Sequence, residues 1–124
     1  MLTKKEIGII GENAAANLLI EKGYTILERN YRINHLEVDI IAQKDDTIAF
    51  VEVKTRSEDF VVSPFDAVNY RKQSLVVNAA DGDMRHFNRS ENARLDVIIV
   101  LHNNGEVVSV EHLEEAYNPR VRTY

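Results

Sequence analysis

Two short apolar runs, residues 38–43 and 47–54, flank the polar turn around Asp45-Asp46. Runs of this length, rich in valine and isoleucine and parted by a turn, predict an antiparallel β-hairpin. With the turn at Asp45-Asp46, Gln43 faces Ile48, Ile41 faces Phe50, Asp39 faces Glu52 and Glu37 faces Lys54. Side chains along a strand alternate between the two faces of a sheet. One face then carries Val38, Ile40, Ala42, Ala49, Val51 and Val53. The other carries Ile41, Ile48 and Phe50 near the turn, then Asp39, Glu52, Glu37 and Lys54 at the open end. Such a hairpin folds only if another layer covers its apolar side.

The charges at the open end raise a second constraint. Opposed β-carbons lie about 4.5–5.5 Å apart. At 5 Å and an effective dielectric of 20, two ionised carboxylates repel by about 3 kcal/mol. Three arrangements relieve this: Lys54 screens the pair, one acid keeps its proton, or a divalent cation bridges both. Asp39 and Glu52 offer hard oxygen donors, which suit magnesium or manganese. A lysine two residues after the acid shares its side of the strand. There it could orient a water and stabilise charge in a phosphodiester transition state. A metal-free salt-bridge cluster is the alternative reading.

The 124-residue chain favours one domain, taken as residues 1–117 with a tail at 118–124. It contains no cysteine, which excludes disulfides, thiolate metal sites and a cysteine nucleophile. No apolar run reaches membrane-spanning length and the first residues lack a secretory apolar core, so the expected location is cytoplasmic, without a membrane partner. A net charge of −5 is unusual for a DNA-binding domain. Arg29, Arg32, Lys54, Arg56, Arg71 and Lys72 could nonetheless form a basic rim, or simply a solvated surface.

Thr3 and Glu6 have capping-box spacing, and Gly23 is a stop signal, so a helix is expected over about 4–22. Gly8 and Gly11 lie on one face of it and permit close approach to a neighbour. Residues 25–31 read as a first strand, 93–102 as a fourth and 106–111 as a fifth, the last two joined at Asn103-Asn104-Gly105. Ser63-Pro64 opens a second helical stretch to about residue 87, interrupted near Asp81-Gly82-Asp83. Residues 114–124 read as a loosely held tail. The class is mixed α and β.

Asp39, followed by Glu52-Val53-Lys54, resembles the active-site signature of the PD-(D/E)xK nuclease superfamily. The resemblance extends to the YraN-like family of bacterial proteins. It is carried by Gly8-Ile9-Ile10-Gly11-Glu12, Gly23-Tyr24, residues 26–32, 37–42 and 50–56, Lys72-Gln73 and Arg94-Leu95-Asp96-Val97. It implies an α/β, restriction-endonuclease-like core, a mixed sheet of five strands flanked by helices, similar to Holliday-junction resolvases. It further implies Asp39 and Glu52 as metal ligands, Lys54 as the catalytic lysine, and Glu12 as the additional acid of resolvase-type sites. Glu37, Lys72 and Gln73 would be auxiliary, and Arg29, Arg32, Arg56 and Arg71 would contact nucleic acid. The implied function is a magnesium- or manganese-dependent endonuclease acting on structured or branched DNA, with a homodimer by analogy. The alternatives are a catalytically silent nucleic-acid-binding module of the same fold, or an interaction scaffold. Leu36 stands where the family pattern has glycine. Asp96, among apolar neighbours, needs a partner, with Arg94 or Arg71 available. His35, His86, His102 and His112 lack metal-ligand spacing and read as surface or loop residues.

Overall fold

A computed structural model describes residues 1–33, 36–59 and 92–117. Helix α1 spans Lys4–Glu21. It starts where the sequence signals it. Thr3 Oγ1 accepts from the Glu6 amide at 3.1 Å, and Glu6 Oε1 accepts from the Thr3 amide at 2.9 Å. These bonds satisfy donors that the first helical turn leaves open. It stops at Gly23, whose φ of +96° suits glycine. The Gly23 and Tyr24 amides reach back to the Ile20 and Leu19 carbonyls at 3.0 and 2.9 Å.

Five strands follow: β1 (Thr25–Ile33), β2 (Leu36–Lys44), β3 (Thr47–Ser57), β4 (Asn92–Asn103) and β5 (Glu106–Tyr117). They form one sheet in the order β1-β2-β3-β4-β5. Every pairing is antiparallel except β3 with β4, which is parallel. The result is the expected mixed α/β arrangement, compatible with a restriction-endonuclease-like core. Strand β5 runs past the anticipated end at residue 111, so residues 114–117, read as tail, extend the ladder to a Leu95–Tyr117 pair. The second helical stretch expected after Ser63-Pro64 lies outside the described residues.

The sheet buries both faces. On one, Ala15, Ala16 and Leu19 of α1 pack on Ile40, Ala42, Ala49, Val51, Ile98 and Val100. At Gly11 the helix approaches so closely that a β-carbon would overlap Thr55 Oγ1. Gly8 makes no such approach, and a β-carbon there would meet nothing within 4 Å. On the other face Val38, Ile41, Ile48, Phe50 and Leu95 cluster.

Val38 belongs to that second face, not to the α1 side where plain alternation puts it. The cause is a matched irregularity in two strands. Arg29 pairs with Ile40, and Tyr31 pairs with Val38. Ile40 faces α1, whereas Val38 and Tyr31 face away. Between these pairs Asn30 takes φ of +53° and stands across from Asp39. A left-handed residue inside a strand breaks the two-residue rhythm. Both strands therefore exchange faces at this level.

Candidate metal and nucleic-acid site

The predicted hairpin register holds from Lys44–Thr47 to Ile40–Val51. Pairing of β2 with β3 ends there, so neither Asp39–Glu52 nor Glu37–Lys54 is a ladder pair. Asp39 contributes differently. Its Oδ2 accepts from the Val53 amide at 2.8 Å, so a side chain continues the bonding that the backbone gives up. Val53 lies between Glu52 and Lys54, so the Asp39 carboxylate is fixed beside both. Glu52 and Lys54 project to the same side of β3, with Lys54 Nζ 3.6 Å from Glu52 Oε1. The Glu52 side chain is 14% exposed and that of Lys54 is 24% exposed.

Glu12 enters from α1, one residue beyond the close contact at Gly11. Its carboxyl is raised above the usual glutamate range by burial first, then by the nearby charge of Asp39, with a smaller push from Glu37. The Arg29 charge and, after it, the polar Asn30 side chain oppose that shift. Arg29 Nη2 is 3.8 Å from Glu12 Oε1 and donates to Asn13 Oδ1 at 2.9 Å. Glu37 does not pair with Lys54 as the extended register would have it. Its partner is Arg32, across the β1–β2 ladder, at 3.6 Å.

Glu12, Glu37, Asp39 and Glu52 supply the hard oxygen donors that magnesium or manganese prefers. Among the described residues no three acids or histidines converge closely enough to cage a metal ion. Magnesium does not need such a cage. It commonly keeps several waters and uses one or two carboxylates with substrate phosphate. The donor set therefore fits such an ion in kind, with Asp39 held by β3 and Glu12 within the influence of its charge.

A cavity of about 470 Å³ opens between the first turns of α1 and the end of β3, with Lys4, Gly8, Glu12, Thr55, Arg56 and His102 in its wall. It places Arg56 and Lys4 near Glu12. Arg32 is well exposed, at 72% of its side chain. Arg29 is instead committed to α1. Arg71, Lys72 and Gln73 lie outside the described residues, as do His35, His86 and Asp81-Gly82-Asp83.

A family model described as "Uncharacterised protein family UPF0102" matches residues 11–100. A UPF0102 protein of Parabacteroides distasonis is 39% identical over 117 residues, covering 94% of this chain and 96% of the relative. One of Bacteroides thetaiotaomicron is 41% identical over 119 residues, covering 96% and 98%. One of Dictyoglomus turgidum is 36% identical over 118 residues, covering 94% and 100%. The chain belongs to the UPF0102 family. This is the YraN-like family that the sequence resembles, and the nuclease-like resemblance is consistent with it. In this UPF0102 chain Leu36 takes a place in β2, opposite Ile33.

A second polar cluster, away from the acids, locks the far end of α1 to the sheet. Asp96 is buried and bound by Arg94 through two 2.9 Å bonds, so Arg94 is its partner as one of the two candidates foreseen. Burial works against the Arg94 charge, but hydrogen bonds with Asp96 and Tyr24 hold its pKa above the usual arginine value. His112 Nε2 lies 2.7 Å from Asp96 Oδ2, and Lys22 Nζ lies 2.6 Å from His112 Nδ1. An ammonium only donates, so Nδ1 accepts and Nε2 carries the proton given to Asp96. Of the histidines expected at the surface, His102 is buried and His112 has an enclosed side chain. His112 exposes only 3% of its side chain, and His102 accepts from the Gly105 amide through Nδ1 at 3.1 Å. Only tertiary pairing brings the partners of His112 within reach, whereas His102 is bonded within its own turn. No helix among the described residues is long and apolar enough to cross a membrane.

Proposed function

We propose that this UPF0102 chain is a magnesium- or manganese-dependent endonuclease that hydrolyses phosphodiester bonds in structured or branched DNA. The observation that carries the reading is the Asp39 carboxylate held on the Val53 amide, between Glu52 and Lys54, where β2 and β3 part. The family resemblance and the acid brought in by α1 support it. Asp39, Glu52 and Glu12 would hold the ion, which supplies Lewis acidity and a more acidic water. In the hydrolysis a water oxygen bonds to phosphorus, the bond to the leaving sugar oxygen breaks, and that oxygen gains a proton. Lys54, restrained by Glu52, would orient the water and offset charge on the phosphate oxygens. Arg32 and Arg56 would contact flanking phosphates. A cytoplasmic location and a homodimer presenting two such sites are parts of the same proposal.

The test incubates the protein with branched, flap, single-stranded and duplex DNA in magnesium or manganese. Cleavage of at least one substrate is expected, together with its loss in Lys54→Ala at unchanged manganese affinity. Manganese should also raise the melting temperature. Salt-sensitive binding without metal-dependent turnover would instead mark a silent binding module. The absence of both binding and cleavage would end the nuclease reading.

A further inference from the structure

We propose that the cavity between α1 and the end of β3 is a subsite for one phosphate-bearing nucleotide, its phosphate held by Lys4 and the Nε2–H of His102, with Arg56 in the same wall. The subsite deepens the nuclease reading and rests on it for its nucleic-acid partner: beside the scissile phosphate it would seat one unpaired nucleotide.

The cavity follows the groove that α1 makes with β3. Val53, Thr55 and Ser57 alternate along β3, and Lys4, Gly8 and Glu12 recur along α1 at four-residue spacing. Gly11 seats on Thr55, so Glu12 marks the end toward Val53, whose amide holds Asp39. Lys4 stands about 12 Å from Glu12 along the helix. His102 pairs with Ser57 across β3 and β4, at the far end. A β-carbon at Gly8 would meet nothing within 4 Å, so this missing side chain keeps the space open. Small-ligand pockets run from about 300 to 1,000 Å³. A volume of about 470 Å³ suits one nucleotide and is too small for a base pair within a duplex.

His102 decides what the far end can bind. The residue is only 8% exposed. Its Nδ1 accepts from the Gly105 amide, so the neutral ring carries its proton on Nε2. Among the described residues Nε2–H has no acceptor, and it is the polar group this side chain has left for the cavity it lines. An enclosed donor without an acceptor is costly, and a ligand oxygen would recover that cost. Among the described residues neither Lys4 nor Arg56 pairs with an acid. Arg56 spends one N–H on the Thr55 carbonyl at 2.9 Å, which leaves the rest of its fork. The Ser57 hydroxyl donates to Asp59 at 2.5 Å and keeps only its acceptor capacity. Two unmatched cations and an enclosed donor in one cavity select an anion. Glu12 repels an anion at the opposite end, so the phosphate belongs with Lys4 and His102. Ile7 and Val53 supply apolar wall for the sugar or base.

Titration calorimetry in EDTA reads the subsite without metal, using thymidine 3′,5′-bisphosphate, thymidine and inorganic phosphate as probes. The bisphosphate should bind, and each of the other two should bind at least tenfold more weakly. Two variants keep the fold. His102→Asn retains an acceptor for the Gly105 amide but lacks the Nε2 donor, and should weaken the bisphosphate roughly tenfold or more. Gly8→Leu fills the open space with a good helix former and should abolish binding without lowering the melting temperature. The His102 Nε2 resonance should move when the bisphosphate is added to wild type. No uptake by wild type, or affinity unchanged in both variants, would overturn the subsite. Inorganic phosphate binding as tightly as the bisphosphate would overturn its assignment to a nucleotide. Bisphosphate binding with these sensitivities, in a chain that cleaves no DNA, would refute the nuclease reading and leave the subsite standing. DNA cleavage without bisphosphate uptake, at the wild-type rate in both variants, would do the reverse.

Discussion

Replacing Gly11 by alanine sets helix propensity against packing, and the structure says which wins. Alanine is favoured over glycine inside a helix by about 1 kcal/mol. At position 11, however, its β-carbon would overlap Thr55 Oγ1 and come within 2.9 Å of Thr55 Cβ and Cγ2. Carbon atoms pack comfortably at ~3.5–4.0 Å, so α1 would have to withdraw from β3 by roughly 0.6–1.1 Å. Rotating the threonine does not help, because turning Oγ1 away leaves Cβ in place and Thr55 is stiff at χ1. Overpacking of this kind costs roughly 1–3 kcal/mol, and the branched neighbour argues for the upper part of that range. The net loss is then about 1–2 kcal/mol, or roughly 3–10 °C in melting temperature for a chain of this size. Gly8→Ala supplies the internal control. Nothing lies within 4 Å of its β-carbon position, so it should gain most of the propensity term and melt higher. Circular dichroism through thermal and urea unfolding reads both variants. Gly11→Ala as stable as wild type, or Gly8→Ala destabilised alongside it, would refute the assigned approach of α1 to β3. Thr55→Ala should recover part of the Gly11→Ala loss, because it removes Oγ1 and Cγ2.

Asp96→Ala strands the Arg94 charge and should cost roughly 3–5 kcal/mol, read by urea unfolding. Asp39→Asn keeps an oxygen to accept from the Val53 amide, so it should stay folded but lose any manganese-induced rise in melting temperature. Asp39→Leu also leaves that amide without its acceptor and should cost a further ~1–3 kcal/mol. Glu12 gives a pH dependence of known sign. Its folded-state pKa is raised, so the folded state tolerates the protonated acid better than the charged one. The stability associated with it is fully present below the ordinary glutamate value and is lost as pH rises through the raised value. Without metal, Glu12→Gln should therefore be more stable than wild type at neutral pH, and that advantage should vanish in acid. An advantage that grows on acidification would contradict the environment assigned to Glu12.

The hairpin was legible in the sequence because Ile41, Phe50, Ala42 and Ala49 alternate cleanly about a polar turn. The helix ends were legible because Thr3, Glu6 and Gly23 each satisfy or free specific backbone groups. Asp96 announced its ion pair, since a carboxylate amid valine and isoleucine cannot remain unmatched. Plain alternation puts Val38 on the wrong face because it carries no mark of the exchange at Asn30 and Asp39. The one local hint is asparagine itself, a residue tolerant of positive φ. Asp39 beside Glu52 and Lys54 was foreseen as a neighbourhood, but its means was not. Direct opposition was expected, whereas the carboxylate substitutes for a strand bond. His112 and Lys22 were out of reach because their partners are 16 and 90 residues away.

The paired exchange of faces has a consequence for how these strands can drift. Tyr31 and Val38 sit correctly only because two neighbouring strands depart from regularity at the same level. A substitution that straightened one strand alone would turn an aromatic ring or a valine outward and leave its opposite number without company. Positions 30 and 39 thus share one structural task, and straightening the backbone at either disturbs both strands.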